Sequence, residues 1–174
     1  LMNESGELAR ARDGQVLTPS AGGTAKVVAL TRSASGQIWV DREGRVSLLK
    51  QGGLLPVGFE ATNSATYPYI QGIAASRDGG FWVARSGGIQ KWEDGKWTVN
   101  LGPAPWGWNV VSCLMETSSG VLAAGTSDSG LWLVFPGETN APALHFTHTN
   151  GLPSDWVISL CEDREKNLWC GTGA

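Results

Sequence analysis

A short segment recurs four times along this chain of 174 residues, and the recurrence constrains the fold more than any other feature. Each copy starts with apolar residues, passes through a polar turn and ends in a run of apolar–Trp–apolar type. The Trp slot recurs in steps of 43, 41 and 46 residues, and it holds Trp39, Trp82, Ala123 and Trp169. A period of this length is typical of a four-stranded propeller blade.

A second hairpin follows the first in each unit. Residues 87–99 hold two Trp-bearing runs around Asp94-Gly95, and residues 6–18 hold two runs around Asp13-Gly14. Asp-Gly between alternating apolar residues favours a two-residue hairpin turn. No segment shows a helical period. The sequence therefore predicts an all-β fold of four-stranded antiparallel blades, which must stack on one another because a lone sheet cannot bury two apolar faces.

The last unit carries the most complete copy of the pattern. It reads Asn-Gly-Leu-Pro at 150–153, Val157, Ser-Leu at 159–160, Glu-Asp at 162–163 and Leu-Trp-Cys-Gly-Thr at 168–172. This run resembles the two-component regulator propeller repeat. The other units match in part: Ala123 replaces Trp, and Gly-Thr becomes Asp-Arg at 41–42 and Ala-Arg at 84–85. The resemblance implies a periplasmic or extracellular sensor propeller of a bacterial hybrid sensor kinase, often tied to carbohydrate uptake; related propellers occur without a kinase.

The units divide the chain into about four blades. Blade 1 is predicted over 27–69, blade 2 over 70–109 and blade 3 over 110–156, while 157–174 supplies two strands of another blade. Residues 1–26 could supply its remaining two strands, which would be the closure by which propellers join their termini. Two accounts stay open. Either the chain is a fragment of a larger propeller, or it closes through its own ends or by self-association.

Composition excludes some classes of partner. The formal net charge is −3 and no basic block is present, so a nucleic-acid surface is not expected. No apolar stretch approaches the roughly 20 residues that span a bilayer. No motif predicts a cofactor. The three cysteines lack a C-x-x-C spacing, which gives no zinc signal, and we expect them to be small buried strand residues.

Catalytic candidates are few. His145 and His148 lie three residues apart, so in a regular strand they would face opposite ways and could not share a metal. The adjacent Glu162 and Asp163 make a poor catalytic pair for the same reason, and one of them is expected to bind N–H groups of the following turn, 164–167. The sequence thus predicts no catalytic or metal site, although a propeller lyase or hydrolase, or a protein-interaction scaffold, remains an alternative.

The aromatic residues fall into two groups. We expect Trp39, Trp82 and Trp169 to be structural anchors packed between blades, because a repeated large apolar residue indicates packing. A second group lies where connections between blades and loops between second and third strands should meet at one rim. Aromatic rings there could stack on a sugar or another small ligand, or could simply fill gaps between blades. The candidate ligand-binding residues are Tyr67, Tyr69, Arg85, Trp106, Trp108, Asn109, Asp128 and Trp156.

Overall fold

The computed structural model describes residues 10–12, 15–17, 27–50, 53–58, 70–85, 88–138 and 141–173. Every regular element in these ranges is a β-strand, which confirms the all-β prediction. No element among them is a helix long and apolar enough to cross a bilayer. The strands are β1 (Arg10–Arg12), β2 (Gln15–Leu17), β3 (Val27–Arg32), β4 (Ile38–Arg42), β5 (Arg45–Lys50), β6 (Gly53–Pro56), β7 (Ile70–Ala75), β8 (Phe81–Arg85), β9 (Gly88–Glu93), β10 (Lys96–Pro103), β11 (Val111–Glu116), β12 (Leu122–Thr126), β13 (Leu131–Val134), β14 (Leu144–Phe146), β15 (Val157–Glu162) and β16 (Leu168–Thr172).

Three four-stranded antiparallel sheets follow one another along the chain. They are β3–β6, β7–β10 and β11–β14, each in sequential strand order, and they are called blades 1, 2 and 3 below. The β15–β16 hairpin begins blade 4. The β1–β2 hairpin forms a separate two-stranded sheet, and no pairing among the described strands joins it to β15–β16. The composite blade of the two chain ends therefore stays a prediction.

The first strand of each blade is its inner strand. β3 packs beside β7, β7 beside β11, and β11 beside β15. Each inner strand also carries a bulge at the same place, one residue after its start. The bulged residues are Val28, Gln71, Ser112 and Ile158. A bulge bends and twists its strand locally, so the repetition of the bulge gives all four inner strands the same shape.

The core lies between blades. We call the side of a blade that packs on the next blade in sequence its forward face. Trp39 on the forward face of blade 1 meets Phe81 of blade 2, with ring centroids 4.9 Å apart. Trp82 packs on blade 3 against Val111 and Leu122. Ala123 replaces Trp on blade 3 and packs against Val157 of blade 4.

Trp169 departs from the expectation that it packs between blades. Its side chain is 63% exposed, whereas Trp82 in the same slot is 3% exposed. The reason is positional, because Trp169 lies on the forward face of blade 4 and no described blade lies beyond it. Its indole Nε1 instead donates a hydrogen bond to Asp163 Oδ2 at 2.7 Å.

The hairpin turns follow the sequence closely. Asp94 and Gly95 have φ of 48° and 80° between paired residues of β9 and β10, which confirms the predicted two-residue turn. The pairing of Arg12 with Gln15 leaves the predicted Asp13-Gly14 between them. The cysteines are free, and Cys161 is exposed, so its expected burial was wrong. Side chains of β15 alternate between a buried side and an exposed side, and Cys161 lies on the exposed side.

Candidate functional site

Two kinds of loop share one face of the propeller, here called the upper face. The antiparallel strand order places the connections between blades beside the loops that join second to third strands. The described parts are the connections 104–110 and 147–156 and the loops 43–44 and 127–130. Loops carried on a rigid sheet scaffold are a usual location for binding residues.

Backbone hydrogen bonds tie three of these segments together. Ser127 N donates to Val110 O at 3.0 Å, which joins loop 127–130 to the connection from blade 2. Gly130 N donates to Asp155 O at 2.9 Å, which joins the same loop to the connection toward blade 4. Loop 127–130 therefore bridges both connections through its backbone.

Four predicted ligand-binding residues are carried by these tied segments. Trp108 is 73% exposed and Trp156 is 48% exposed. Asp128 is exposed and Asn109 is half-buried. We name Trp108, Asn109, Asp128, Trp156, His148 and Asp155 the upper-face cluster.

Trp156 is held by its neighbour in space, Gly173. Gly173 N donates to Trp156 O at 2.8 Å. A Cβ added at Gly173 would collide with the Trp156 ring, at Cε3 and Cδ2. Since only glycine leaves room for this approach, the indole lies against the backbone at Gly173, and about half of its surface stays open to solvent.

His148 and Asp155 form an exposed pair within the same connection. Asp155 Oδ1 accepts the backbone N–H of His148 at 2.7 Å, and Oδ2 lies 2.5 Å from His148 Nδ1. The backbone hydrogen bond, and then the side-chain bond, lower the pKa of Asp155. A carboxylate on Nδ1 orients the ring and leaves Nε2 available to a ligand.

His145 has a structural environment. Its ring stacks on Trp132 with centroids 3.7 Å apart, and Nε2 lies 2.7 Å from Ser129 O. The ring therefore supports loop 127–130 through its contact with Ser129 O. No group of three or more His, Cys, Asp or Glu residues in the described part of the chain could hold a metal ion.

The two carboxylates of the Glu-Asp pair in the repeat bind different parts of the structure. Asp163 accepts the N–H of Asn167 at 2.8 Å and the indole N–H of Trp169, and these contacts lower its pKa, with the indole bond the largest cause. This confirms that one of the two acids binds the following turn. Glu162 instead reaches blade 3, where its Oε2 accepts the N–H of Ser118 at 2.7 Å.

Two predicted ligand-binding residues, Trp106 and Arg85, are buried. Trp106 is 2% exposed and packs in the core between blades 2 and 3, because the connection folds back through a turn from Ala104 to Gly107. Arg85 is also buried, with its guanidinium carbon 4.8 Å above the Trp97 ring. Burial lowers the pKa of Arg85. Tyr67 and Tyr69 lie outside the described residues.

A second buried charge lies at the boundary of blades 1 and 2. Asp41 is fully buried at the position that Gly125 and Gly171 occupy in later blades. Its Oδ1 accepts the N–H of Gly44 at 2.9 Å, while Oδ2 has no hydrogen-bond partner among the residues that the structure describes. Burial raises the pKa of Asp41 to about 6, and the Gly44 bond lowers it only in part.

Sequence reasoning missed the His148–Asp155 pair and the burial of Asp41. The pair could have been suspected from the seven-residue spacing around a Gly-Leu-Pro turn, which returns the chain on itself. Asp41 could have been noticed as an acid in a slot that is glycine in the most complete repeat.

Comparison with known proteins agrees with this architecture. Residues 151–174 match the family profile described as two component regulator propeller. No curated protein sequence matches the chain.

Solved structures share the fold at low identity. The extracellular domain of a protein from B. thetaiotaomicron, described as a one-component or hybrid two-component system, is 17–18% identical with TM-scores of 0.63–0.64. A second extracellular domain, from another hybrid two-component system of B. thetaiotaomicron, is 20% identical with a TM-score of 0.61. Each alignment covers 84% of this chain and 20% of the solved chain.

An enzyme shares the fold as well. Virginiamycin B lyase from Staphylococcus aureus is 16% identical with a TM-score of 0.68, over 96% of this chain and 56% of the lyase. The chain thus spans about a fifth of these extracellular domains and about half of the lyase. Identities this low show the fold alone. The chain shares the fold of β-propellers built from four-stranded blades, and its residues 151–174 match the two component regulator propeller profile.

Proposed function

We propose that this chain is part of an extracytoplasmic sensor propeller of a bacterial two-component regulator, and that its upper face binds a carbohydrate. The upper-face cluster carries the proposal, because it combines two exposed indoles with several hydrogen-bonding groups. The repeat at 151–174 and the fold shared with extracellular domains of two-component systems support the regulator and its location outside the cytoplasm.

The chemistry of the cluster fits a sugar. Flat indole rings present an apolar surface to the C–H face of a pyranose, while carboxylate and amide groups accept and donate hydrogen bonds to its hydroxyls. Trp108 and Trp156 supply the rings on two different connections. Asp128 is exposed on the loop that bridges these connections and supplies a carboxylate.

A titration calorimetry and thermal-shift panel of neutral and acidic oligosaccharides tests the proposal. Trp108→Ala and Trp156→Ala should each weaken binding by about 3–10-fold, since a stacked ring contributes roughly 0.5–1.5 kcal/mol beyond its area. Trp169→Ala is the matched control, because it removes an exposed indole from a different face. If no oligosaccharide binds, or if Trp169→Ala weakens binding as much as Trp156→Ala, the sugar site is wrong.

The His148–Asp155 pair favours a second candidate function, that of an enzyme. A histidine whose Nδ1 is held by a carboxylate can accept a proton at Nε2 and so act as a general base. The fold shared with virginiamycin B lyase makes an elimination reaction the first class to assay. Incubation with a streptogramin B and chromatography of the products would show substrate loss that His148→Ala abolishes and His145→Ala does not. Equal loss in both variants, or none in the wild-type chain, would exclude this candidate.

A further inference from the structure

Two cysteines face each other across the boundary of blades 3 and 4. Cys113 lies opposite Gly125 on the forward face of blade 3, and a Cβ added at Gly125 would collide with both Cys113 Sγ and Val157 of blade 4. Cys170 lies on β16 opposite Leu160, and both of these residues pack against the same core cluster as Cys113. Both thiols are free and half-buried. The boundary therefore holds a pair of thiols that neither the sugar site nor the enzyme candidate uses.

The preceding boundary shows how close the two thiols lie. Gly72 and Cys113 are each the first residue after the bulge of an inner strand, and Leu114 and Leu160 are each the second. A Cβ added at Gly72 would lie 3.4 Å from Leu114 Cβ. The same packing one boundary later sets Cys113 against Leu160, whose cross-strand partner is Cys170. Since directly opposed residues have Cβ atoms about 4.5–5.5 Å apart, the two cysteines are separated by about one side chain.

The electrostatics of the thiols agree with this placement. Burial raises the pKa of Cys113, hydrogen bonds with Ser112 and Gly125 lower it in part, and the charge of Cys170 raises it again. Cys170 is thus within electrostatic reach of Cys113. Burial also raises the pKa of Cys170. Both thiols react slowly with outside reagents when their pKa values are raised, whereas a reaction between them is favoured by proximity.

The pair belongs to this boundary and not to the repeat. The same two slots hold Ala29 and Val83 at the boundary of blades 1 and 2, and Gly72 and Ala124 at the boundary of blades 2 and 3. Small or branched apolar residues thus suffice to pack these slots. Packing alone does not require a thiol in either of them.

We propose that Cys113 and Cys170 form a redox site, in which oxidation joins their sulfurs in a disulfide between the inner strand of blade 3 and the second strand of blade 4. The oxidant is a small-molecule disulfide such as oxidised glutathione. One cysteine thiolate attacks it, forms a mixed disulfide and releases one glutathione thiol; the other cysteine thiolate then attacks the protein sulfur and releases the second. Two protein thiols are oxidised, and one glutathione disulfide is reduced to two thiols.

The disulfide would tie the two blades together covalently. The closed loop contains residues 114–169, and with them the upper-face connection 147–156. A bridge that closes a long loop stabilises the folded state, because it restricts the unfolded chain. Disulfides persist in oxidising compartments outside the cytoplasm, which is the location proposed above. The redox site itself is independent of the proposed sugar site.

The test uses Cys161→Ser as the parent, because Cys161 lies on the opposite side of β15 and would add an exposed thiol. The folded parent is incubated with oxidised glutathione at about pH 8.5, near the ordinary thiol pKa. The chain has no Lys or Arg from 97 to 163, so trypsin leaves Cys113 in peptide 97–164 and Cys170 in peptide 167–174. Mass spectrometry of the monomer should show these two peptides joined, with the loss of two hydrogen atoms.

Thermal melting measures the effect of the bridge. The oxidised parent should melt about 5 °C or more above its reduced form, and dithiothreitol should reverse the shift. Cys170→Ala in the natural chain is the matched control, because it keeps two thiols, Cys113 and Cys161, on opposite sides of β15. Its peptide 97–164 should gain glutathione but should not lose two hydrogen atoms.

Four results would overturn the proposal. Free thiols at both positions after oxidation, or glutathione on both without joined peptides, would show that the two sulfurs do not meet. Joined peptides that form only in urea would show that the folded boundary keeps them apart. An internal disulfide in Cys170→Ala would show that pairing is unspecific. An oxidised parent that melts at or below its reduced form would show that the bridge distorts the boundary.

Discussion

Trp82 and Trp169 occupy one position of the repeat, yet one is 3% and the other 63% exposed. Both follow the first turn of a blade and lie on the forward face of a second strand. The difference lies wholly in whether another blade follows in the structure. Burial in a stacked-repeat protein is thus a property of the boundary between two repeats and not of either repeat alone.

The largest expected effect is on the free energy of unfolding when either of these two tryptophans is replaced by alanine. Trp82→Ala should destabilise the protein by about 3–5 kcal/mol, because it leaves a cavity between blades 2 and 3. Trp169→Ala should cost about 1 kcal/mol or less, since it loses mainly its bond to Asp163. Urea denaturation of the two variants measures both values. Similar losses would mean that Trp169 is covered in solution.

Asp41, at the boundary of blades 1 and 2, should show the opposite effect. Its burial lowers the stability of the folded protein, whereas the burial of Trp82 raises it. The pKa of Asp41 is about 6 in the folded protein and 3.8 is its ordinary value. The folded state holds the proton more tightly, so stability falls as pH rises between these values and stays reduced above them. Asp41→Asn should therefore stabilise the protein by about 3 kcal/mol above pH 6 and by little near pH 3.5.

Denaturation of wild type and Asp41→Asn at several pH values measures this difference. The control is Glu43→Gln, which removes an exposed carboxylate from the adjacent turn. A difference between Asp41→Asn and wild type that does not change with pH would show that Asp41 is not a buried acid.

The repeat places a glycine on the covered forward face of blade 3 and on the open forward face of blade 4, and replacing each by alanine should change stability by different, smaller amounts. A Cβ at Gly125 would collide with Val157 Cγ1 and lie 2.6 Å from Cys113 Sγ, whereas a Cβ at Gly171 meets the Ser159 hydroxyl at 2.5 Å, which can rotate away. Gly125→Ala should cost about 1–3 kcal/mol and Gly171→Ala about 0.5 kcal/mol. Thermal denaturation compares the pair. A costly Gly171→Ala would indicate a packed forward face.

The smallest effect concerns the first turn of blade 4. Lys166 has φ of 69°, where blades 1, 2 and 3 place Gly36, Gly79 and Gly120. A side chain in this left-handed region is strained. Lys166→Gly should stabilise the protein by about 0.5 kcal/mol, the strain relieved being partly offset by chain entropy. Gly36→Lys, the reverse change in blade 1, should destabilise it in the same melting experiment.

Much of the fold was predictable because local rules governed it. Asp94-Gly95 specified a hairpin turn, and the recurring Trp slot specified the blade period. The candidate site was predictable only in outline. Trp106 and Trp108 are two residues apart in one connection, and sequence gave no reason to separate them. The turn from Ala104 to Gly107 buries one indole and exposes the other.

The sequence by itself determined the strands, the turns and the fact that blades must stack. These features depend on residues close together along the chain. Only the tertiary structure decided which aromatic residues reach solvent, that His148 meets Asp155, and that Asp41 is buried with no second partner in the described part of the chain. The His148–Asp155 pair depends on how one connection returns on itself, whereas the burial of Asp41 and of the aromatic residues depends on contacts between blades, where residues about one repeat apart meet. No local pattern encodes which side of such a boundary stays open.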